Sequence, residues 1–160
     1  MQRIRDLNAR FKFGKWKNLD EGDSDLAGRR IRKRSDRILT DQEKYILEEM
    51  KLVALDRGRA PQKESLLSQR EMKEFRSMTY KVSWVAGQSR PEASGCASMS
   101  AGCLPEPTVE DYNTLVKTCT MLRSTAATPL IIWKHDLSKP LYVTISDCGG
   151  VGSTKKVGSQ

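Results

Sequence analysis

One hundred and sixty residues with a formal net charge of +8 suffice for one ordinary domain or for two incomplete pieces. Hydrophobic residues make up 38% and the 11 glycines lift the apolar set to the low edge of the globular range, which argues against disorder throughout. No apolar run approaches the ~18–20 residues needed to cross a bilayer, Met1-Gln2-Arg3 leads into no signal core, and four cysteines make no disulfide scaffold, so the expectation is a soluble, intracellular, cytoplasmic or nuclear basic protein with no membrane partner.

The first segment, Arg10-Phe11-Lys12-Phe13-Gly14-Lys15-Trp16-Lys17, alternates aromatics with cations as a half-buried strand does. Bases could stack on such aromatics, but a core-facing strand is the simpler use. Asp20 to Asp25 then form a polar, acid-rich turn. They are not a calcium loop, because the twelfth position counted from Asp23 is Arg34, where a bidentate Glu is required.

The charge is concentrated just beyond that turn. Arg29, Arg30, Arg32, Lys33, Arg34 and Arg37 fall in nine residues with one anion, Asp36. On a strand, alternation would put Arg30, Arg32 and Arg34 on one face and Arg29, Ile31 and Lys33 on the other. Guanidinium forks spaced along an extended face suit a phosphate backbone. Neutralising four to six phosphates would give a log–log salt slope of roughly −4 to −5. A solvated edge strand or a nuclear-import patch would look the same in sequence.

Four helices follow with readable starts. Thr40-Asp41-Gln42-Glu43 reads as a capping box, with Ile46, Met50 and Val53 at helical spacing until Gly58. Ser68-Gln69-Arg70-Glu71 is a second box, and behind it Met72, Phe75, Thr79, Val82 and Ala86 trace one face, with Met78 and Val85 beside it. Pro91 fits the first turn of a shorter helix reaching about Leu104, which Pro105 and Pro107 end. Thr108 to Asp111 cap a fourth, with Tyr112, Leu115, Cys119 and Leu122 inward and Lys117 and Arg123 near the negative end of its dipole.

Beyond Thr128 the texture turns to strand. Leu130-Ile131-Ile132-Trp133 is a short apolar candidate, and Leu141 to Asp147 alternates cleanly and is β-branched. The fold expected is α+β: an N-terminal β-hairpin, a central bundle of about four helices and a C-terminal β-hairpin. The glycine tail after Cys148 lacks the Gly-Lys-Ser/Thr ending of a phosphate loop and reads as a turn. Cys96, Cys103, Cys119 and Cys148 with the single histidine, His135, hold no Cys-x-x-Cys pair, so a zinc site is not expected. Asp147 ends a strand before a glycine turn, where a carboxylate serves equally as turn initiator or metal ligand.

In order along the chain, these segments resemble the pol polyprotein of copia-type long-terminal-repeat retrotransposons. Asp41-Gln42-Glu43-Lys44-Tyr45-Ile46 resembles the Ser-Gln-x-Lys-Tyr-Ile segment after the family's polymerase palm. Phe75-Arg76-Ser77-Met78, Trp84-Val85-Ala86 and Ser89-Arg90-Pro91-Glu92 resemble its Tyr-Arg-Ser-Leu, Trp-Leu-Ala and Thr-Arg-Pro-Asp series. Pro107 to Asp111 and Met121 to Thr125 resemble Pro-Thr-x-x-Asp and Tyr-Leu-Lys-Gly-Thr, and Ser146-Asp147-Cys148-Gly149-Gly150 resembles the segment that opens the ribonuclease H domain.

The resemblance implies a reverse transcriptase post-palm and connection-like region over residues 1–128, and a truncated start of a ribonuclease H-like domain over 129–160. It maps the first ribonuclease H carboxylate, a magnesium ligand in the parent family, onto Asp147. The Tyr-Val-Asp-Asp hairpin of the polymerase is absent, and Cys148 stands where the family has Ala. Two-metal hydrolysis needs several carboxylates, and after Trp133 the chain has only Asp136 and Asp147. The expectation is thus a catalytically incomplete fragment with no cofactor of its own. It would bind an RNA–DNA hybrid or other nucleic acid through the Arg-rich strand, with the rest of a pol polyprotein as a further partner. The alternative is a helical interaction module without nucleic acid, in which Met72, Phe75 and Val82 help form an exposed apolar patch. An active nuclease would instead show magnesium-dependent cleavage lost in Asp147→Asn.

Overall fold

Two tight turns and a long return build the sheet. The structure, a computed structural model, describes residues 10–11, 18–20 and 22–135. These form an α+β fold with a four-stranded antiparallel sheet in the order β1 (Ser24–Leu26), β2 (Arg29–Lys33), β3 (Arg37–Asp41), β4 (Leu130–Trp133). Ala27 and Gly28, both at positive φ (50° and 74°), make the β1–β2 turn, the conformation that matches strand twist and that glycine adopts freely. The β2–β3 turn is closed by the Arg34 amide donating to the Arg37 carbonyl at 2.8 Å. Strand β4 returns from the far end of the chain to pair with β3, with Arg37 opposite Trp133 and Thr40 opposite Leu130. Residues on either side of position 128 therefore share one sheet.

The N-terminal strand expected at residues 10–17 is described only at its start, where Arg10 is helical and Phe11 sits exposed in a bend. Lys12 to Lys17, the strand expected at Leu141 to Asp147 and the glycine tail lie outside the described residues.

Helix α1 (Glu43–Glu49) starts later and stops sooner than its sequence suggests. Thr40 is not its cap: pairing with β2 holds Thr40 and Asp41 in β3, with Arg30 opposite Asp41. No side chain of Gln42 caps the helix; the Asp41 carboxylate accepts the Glu43 amide at 3.3 Å instead. The C-terminal carbonyls are met from outside. Lys81 donates to Glu49 at 2.6 Å, and Arg123 donates to Ile46, Leu47 and Met50 at 3.2, 2.9 and 2.9 Å. Arg123, expected to serve its own helix end, thus also caps a helix 73 or more positions away in the chain.

Helix α2 (Gln69–Gln88) begins at the expected capping box, with both reciprocal bonds between Ser68 and Glu71 present. A 3-10 turn (Pro91–Ala93) leads into α3 (Ser94–Gly102), and α4 (Val109–Ser124) begins at the second complete box, Thr108 with Asp111. Phe75, Met78, Val82 and Val85 of α2 pack with Tyr112, Leu115 and Leu122 of α4 and with Ile46 of α1 in one buried cluster. The Phe75 and Tyr112 rings lie 6.3 Å apart. Tyr112 donates to the Val53 carbonyl at 2.9 Å, and burial with nearby Glu74 pushes its phenol well above the ordinary range. Phe75 and Val82 are fully buried, so the exposed patch required by the interaction-module reading does not form around them.

No strand residue belongs to that cluster. In the strands only Ser24, Thr40 and Asp41 are buried, all of them polar. A single buried bond, Ser89 donating to Gln42 at 2.9 Å, joins the end of α2 to the strand–helix junction. Among the described residues no helix is long and apolar enough to cross a membrane.

Candidate nucleic-acid interface

The six cations singled out by the sequence occupy β2 (Arg29, Arg30, Arg32, Lys33), the following turn (Arg34) and the start of β3 (Arg37). They do not form one basic face. Arg30 stands directly opposite Asp41, and Arg32 sits diagonally from it on the same face. Asp41 is 1% exposed and accepts from both: Arg30 through Nε and Nη2 at 3.3 and 3.1 Å, and Arg32 at 2.6 Å. Arg30 also reaches Glu43 at 2.7 Å. The hydrogen bonds that Arg30 donates to Asp41 and then to Glu43 raise its pKa above the ordinary value.

Leaving Asp41 buried and unpaired would cost several kcal/mol, on the order of 3–5 for a broken buried pair, so these two forks are committed inside the protein. The row of Arg30, Arg32 and Arg34 expected from strand alternation is also incomplete, because β2 ends at Lys33 and Arg34 belongs to the turn.

The remaining cations are held loosely. Lys33 pairs with Asp20, Arg34 with Asp23 at 3.7 Å and Arg37 with Asp36 at 3.6 Å, each partner at least half exposed. Exposed pairs of this kind contribute about 0–1 kcal/mol, so an incoming phosphate can displace the aspartates at little cost. Arg29 lies on the Ile31–Lys33 face, and no carboxylate among the described residues pairs with it.

Two depressions flank the sheet, and their charge is opposite. The larger, about 630 Å³ between the β1–β2 turn and α1, is lined by Asp25, Asp41, Glu43, Glu48 and Glu49 against Arg30 and Lys44, a lining that repels anions. The smaller, about 310 Å³, lies where the β2–β3 turn meets the end of β4. Lys33, Arg34, Arg37 and Lys134 line it with Ile38, Ile132 and Trp133, and no acid is among its lining residues. The Lys134 amide donates to the Asp36 carbonyl at 2.8 Å, carrying the β3–β4 ladder one residue further and fixing Lys134 beside the turn. Arg37 stacks 5.0 Å from the Trp133 ring centroid. No protein-family model, curated protein or solved structure matches the chain.

The structure thus brings together three of the predicted cations, Lys33, Arg34 and Arg37, and turns Arg30 and Arg32 to another task. Trp133 and Lys134 were missed as site residues. A strand that pairs across more than 90 positions leaves no local signal; the one available hint was a lysine directly after an apolar run ending in tryptophan.

The candidate catalytic and metal residue Asp147 lies outside the described residues. Within them no cluster of three or more His, Cys, Asp or Glu could hold a metal ion. Of the neighbouring acids elsewhere, Glu110 meets Lys63 at 3.3 Å, Asp111 closes its capping box, and Glu48 and Glu49 sit in α1. Burial raises the Cys119 thiol to about 11, which keeps it protonated and unreactive at neutral pH. His135 is exposed just past β4.

Proposed function

We propose that this chain binds nucleic acid by its phosphates, through the cationic end of the sheet, and that it corresponds to the post-palm and connection region of a copia-type reverse transcriptase/ribonuclease H, acting without catalysis of its own. The observation that carries the binding role is the groove in which Lys33, Arg34, Arg37 and Lys134 converge with no acid in its lining. Four cations in one groove, three of them with exposed aspartates as their carboxylate partners, form a surface whose counterions and carboxylates a polyanion can replace.

What supports the family reading is the way the resembling segments meet. Ser89 donates to Gln42, linking the fourth segment to the first. Arg90, 4% exposed, donates to the Thr125 carbonyl and hydroxyl at 2.9 and 2.6 Å, linking the fourth to the sixth, and Arg123 of that sixth segment caps the helix of the first. Residues recognised separately along the chain are thus one another's bonding partners, as expected if they mark an inherited fold. On this reading magnesium belongs to the parent enzyme.

Fluorescence anisotropy with a labelled RNA–DNA hybrid tests the binding role. Four cations imply a log–log salt slope of about −3 to −4, a steep loss of affinity between 50 and 300 mM salt. Affinity that stays constant over that range would remove the phosphate contact from the account.

A further inference from the structure

The groove has more apolar surface than phosphate recognition uses. Lys33, Ile38 and Ile132 stand in one cross-strand row, and Arg37 and Trp133 in the next, on the other face at the same end of the sheet. Ile132 is 50% exposed and Trp133 51%, although β-branched and aromatic side chains at the end of a strand ordinarily pack against something. One cationic rim, Lys33, Arg34 and Lys134, borders this apolar floor.

A ligand that fits both parts carries a negative charge next to a flat, apolar body. A duplex keeps its base faces stacked and offers a surface phosphates, sugars and base edges, so it would meet the lysines and arginines and leave the indole without a base to stack on. An unpaired nucleotide presents phosphate and base together. The volume, about 310 Å³, stands at the small end of the range for ligand sites, which suits single nucleotides rather than a helix.

We infer that the groove is a site for unpaired nucleotides of single-stranded nucleic acid, with Arg34 and Lys134 on phosphates and a base packed against Trp133. The inference rests on the nucleic-acid reading above and narrows its substrate class. Arg37 sets the indole in place by stacking on it, and leaves half of the residue's surface open to a base. Base–aromatic contact is tolerant of sequence, because every base has a flat face, so the site would discriminate strandedness and not sequence.

The test compares a labelled 20-nucleotide mixed-sequence single strand with its blunt duplex, using the full chain at low salt. The single strand should bind at least tenfold more tightly. Trp133→Ala should cost the single strand about 5- to 100-fold, the range of one base stack, and leave the duplex within twofold. Trp133→Phe should restore most of the loss, and Lys134→Ala should weaken both ligands together. Because Trp133 is half exposed, circular dichroism of the alanine variant should match the parent chain. Equal or tighter binding of the duplex overturns the inference, as does an equal loss of both ligands in Trp133→Ala; in either case phosphate binding itself stands. Absence of binding to either ligand overturns the phosphate reading and this one with it.

Discussion

The helices and the sheet of this protein are held together by different physics. In the helical part, a shared apolar cluster of Ile46, Phe75, Val82, Tyr112, Leu115 and Leu122 is excluded from water, and every long helix starts at a complete capping box. The sheet contributes nothing to that cluster. Its interior is electrostatic, with Asp41 between two arginines, and its large apolar residues Leu26, Ile131, Ile132 and Trp133 stay 42–56% exposed. Burial is non-directional and scales with area, so it stabilises whatever shape excludes water. Ion pairs and exposed strand ends are directional and exchangeable. The comparison teaches that the part free to bind a charged ligand is the part that the core does not need.

The largest effect should separate the two regions outright. Phe75→Ala removes a fully buried ring at the α2–α4 contact and should cost about 3–5 kcal/mol in urea denaturation. Ile132→Ala, on the exposed end of β4, should stay within about 0.5 kcal/mol. Similar losses at the two positions would mean that the sheet has a packed interior after all.

Asp41→Ala breaks the electrostatic interior of the sheet. The arginines it releases are 40% and 21% exposed, so they can regain water, and the cost should fall below that of a fully buried pair, at about 2–3 kcal/mol. Loss of less than about 0.5 kcal/mol, the range of an exposed surface pair, would show that the buried carboxylate does not organise β2 and β3.

This division also explains what the sequence could disclose. The boxes at Ser68–Glu71 and Thr108–Asp111, and the inward face of Phe75, Thr79, Val82 and Ala86, are local patterns of period 3.6 and appear where the spacing puts them. The box at Thr40–Glu43 has the same local pattern, yet Asp41 went to Arg30 and Arg32, because strand pairing with β2 made those partners available. The basic stretch misleads for the same reason. Its composition is plain in the chain, but which cations are consumed by carboxylates depends on Asp20, Asp23 and Asp41 folding beside them. The groove completed by Trp133 and Lys134 depends on the β3–β4 register, which no window of adjacent residues contains.

The smallest effect lies where a helix cap is also an ion pair. Glu71 accepts the Ser68 amide at 2.7 Å to close the capping box, and takes the Arg59 fork through Nε and Nη2 at 3.1 and 3.2 Å. Arg59 continues to Gln62 at 2.9 Å and to the Leu66 carbonyl, so the pair fastens the loop before α2 to the helix start. The Arg59 bond holds the Glu71 carboxyl below its usual range against the opposing effect of burial, with the Ser68 amide assisting. A carboxyl whose folded pKa is depressed stabilises the fold above its unfolded value of about 4.3, and that contribution fades as the pH falls through the folded pKa. Glu71→Gln keeps an acceptor for Ser68 but removes the charge, and should cost about 1 kcal/mol at pH 7. Once the pH falls below that depressed folded value the parent carboxyl is itself protonated, so the two proteins should converge in stability there. The difference between their unfolding free energies, followed from pH 7 to pH 3, should therefore shrink toward zero. A difference constant across that range would place the loss in the shape of the amide, and not in the charge that Arg59 holds.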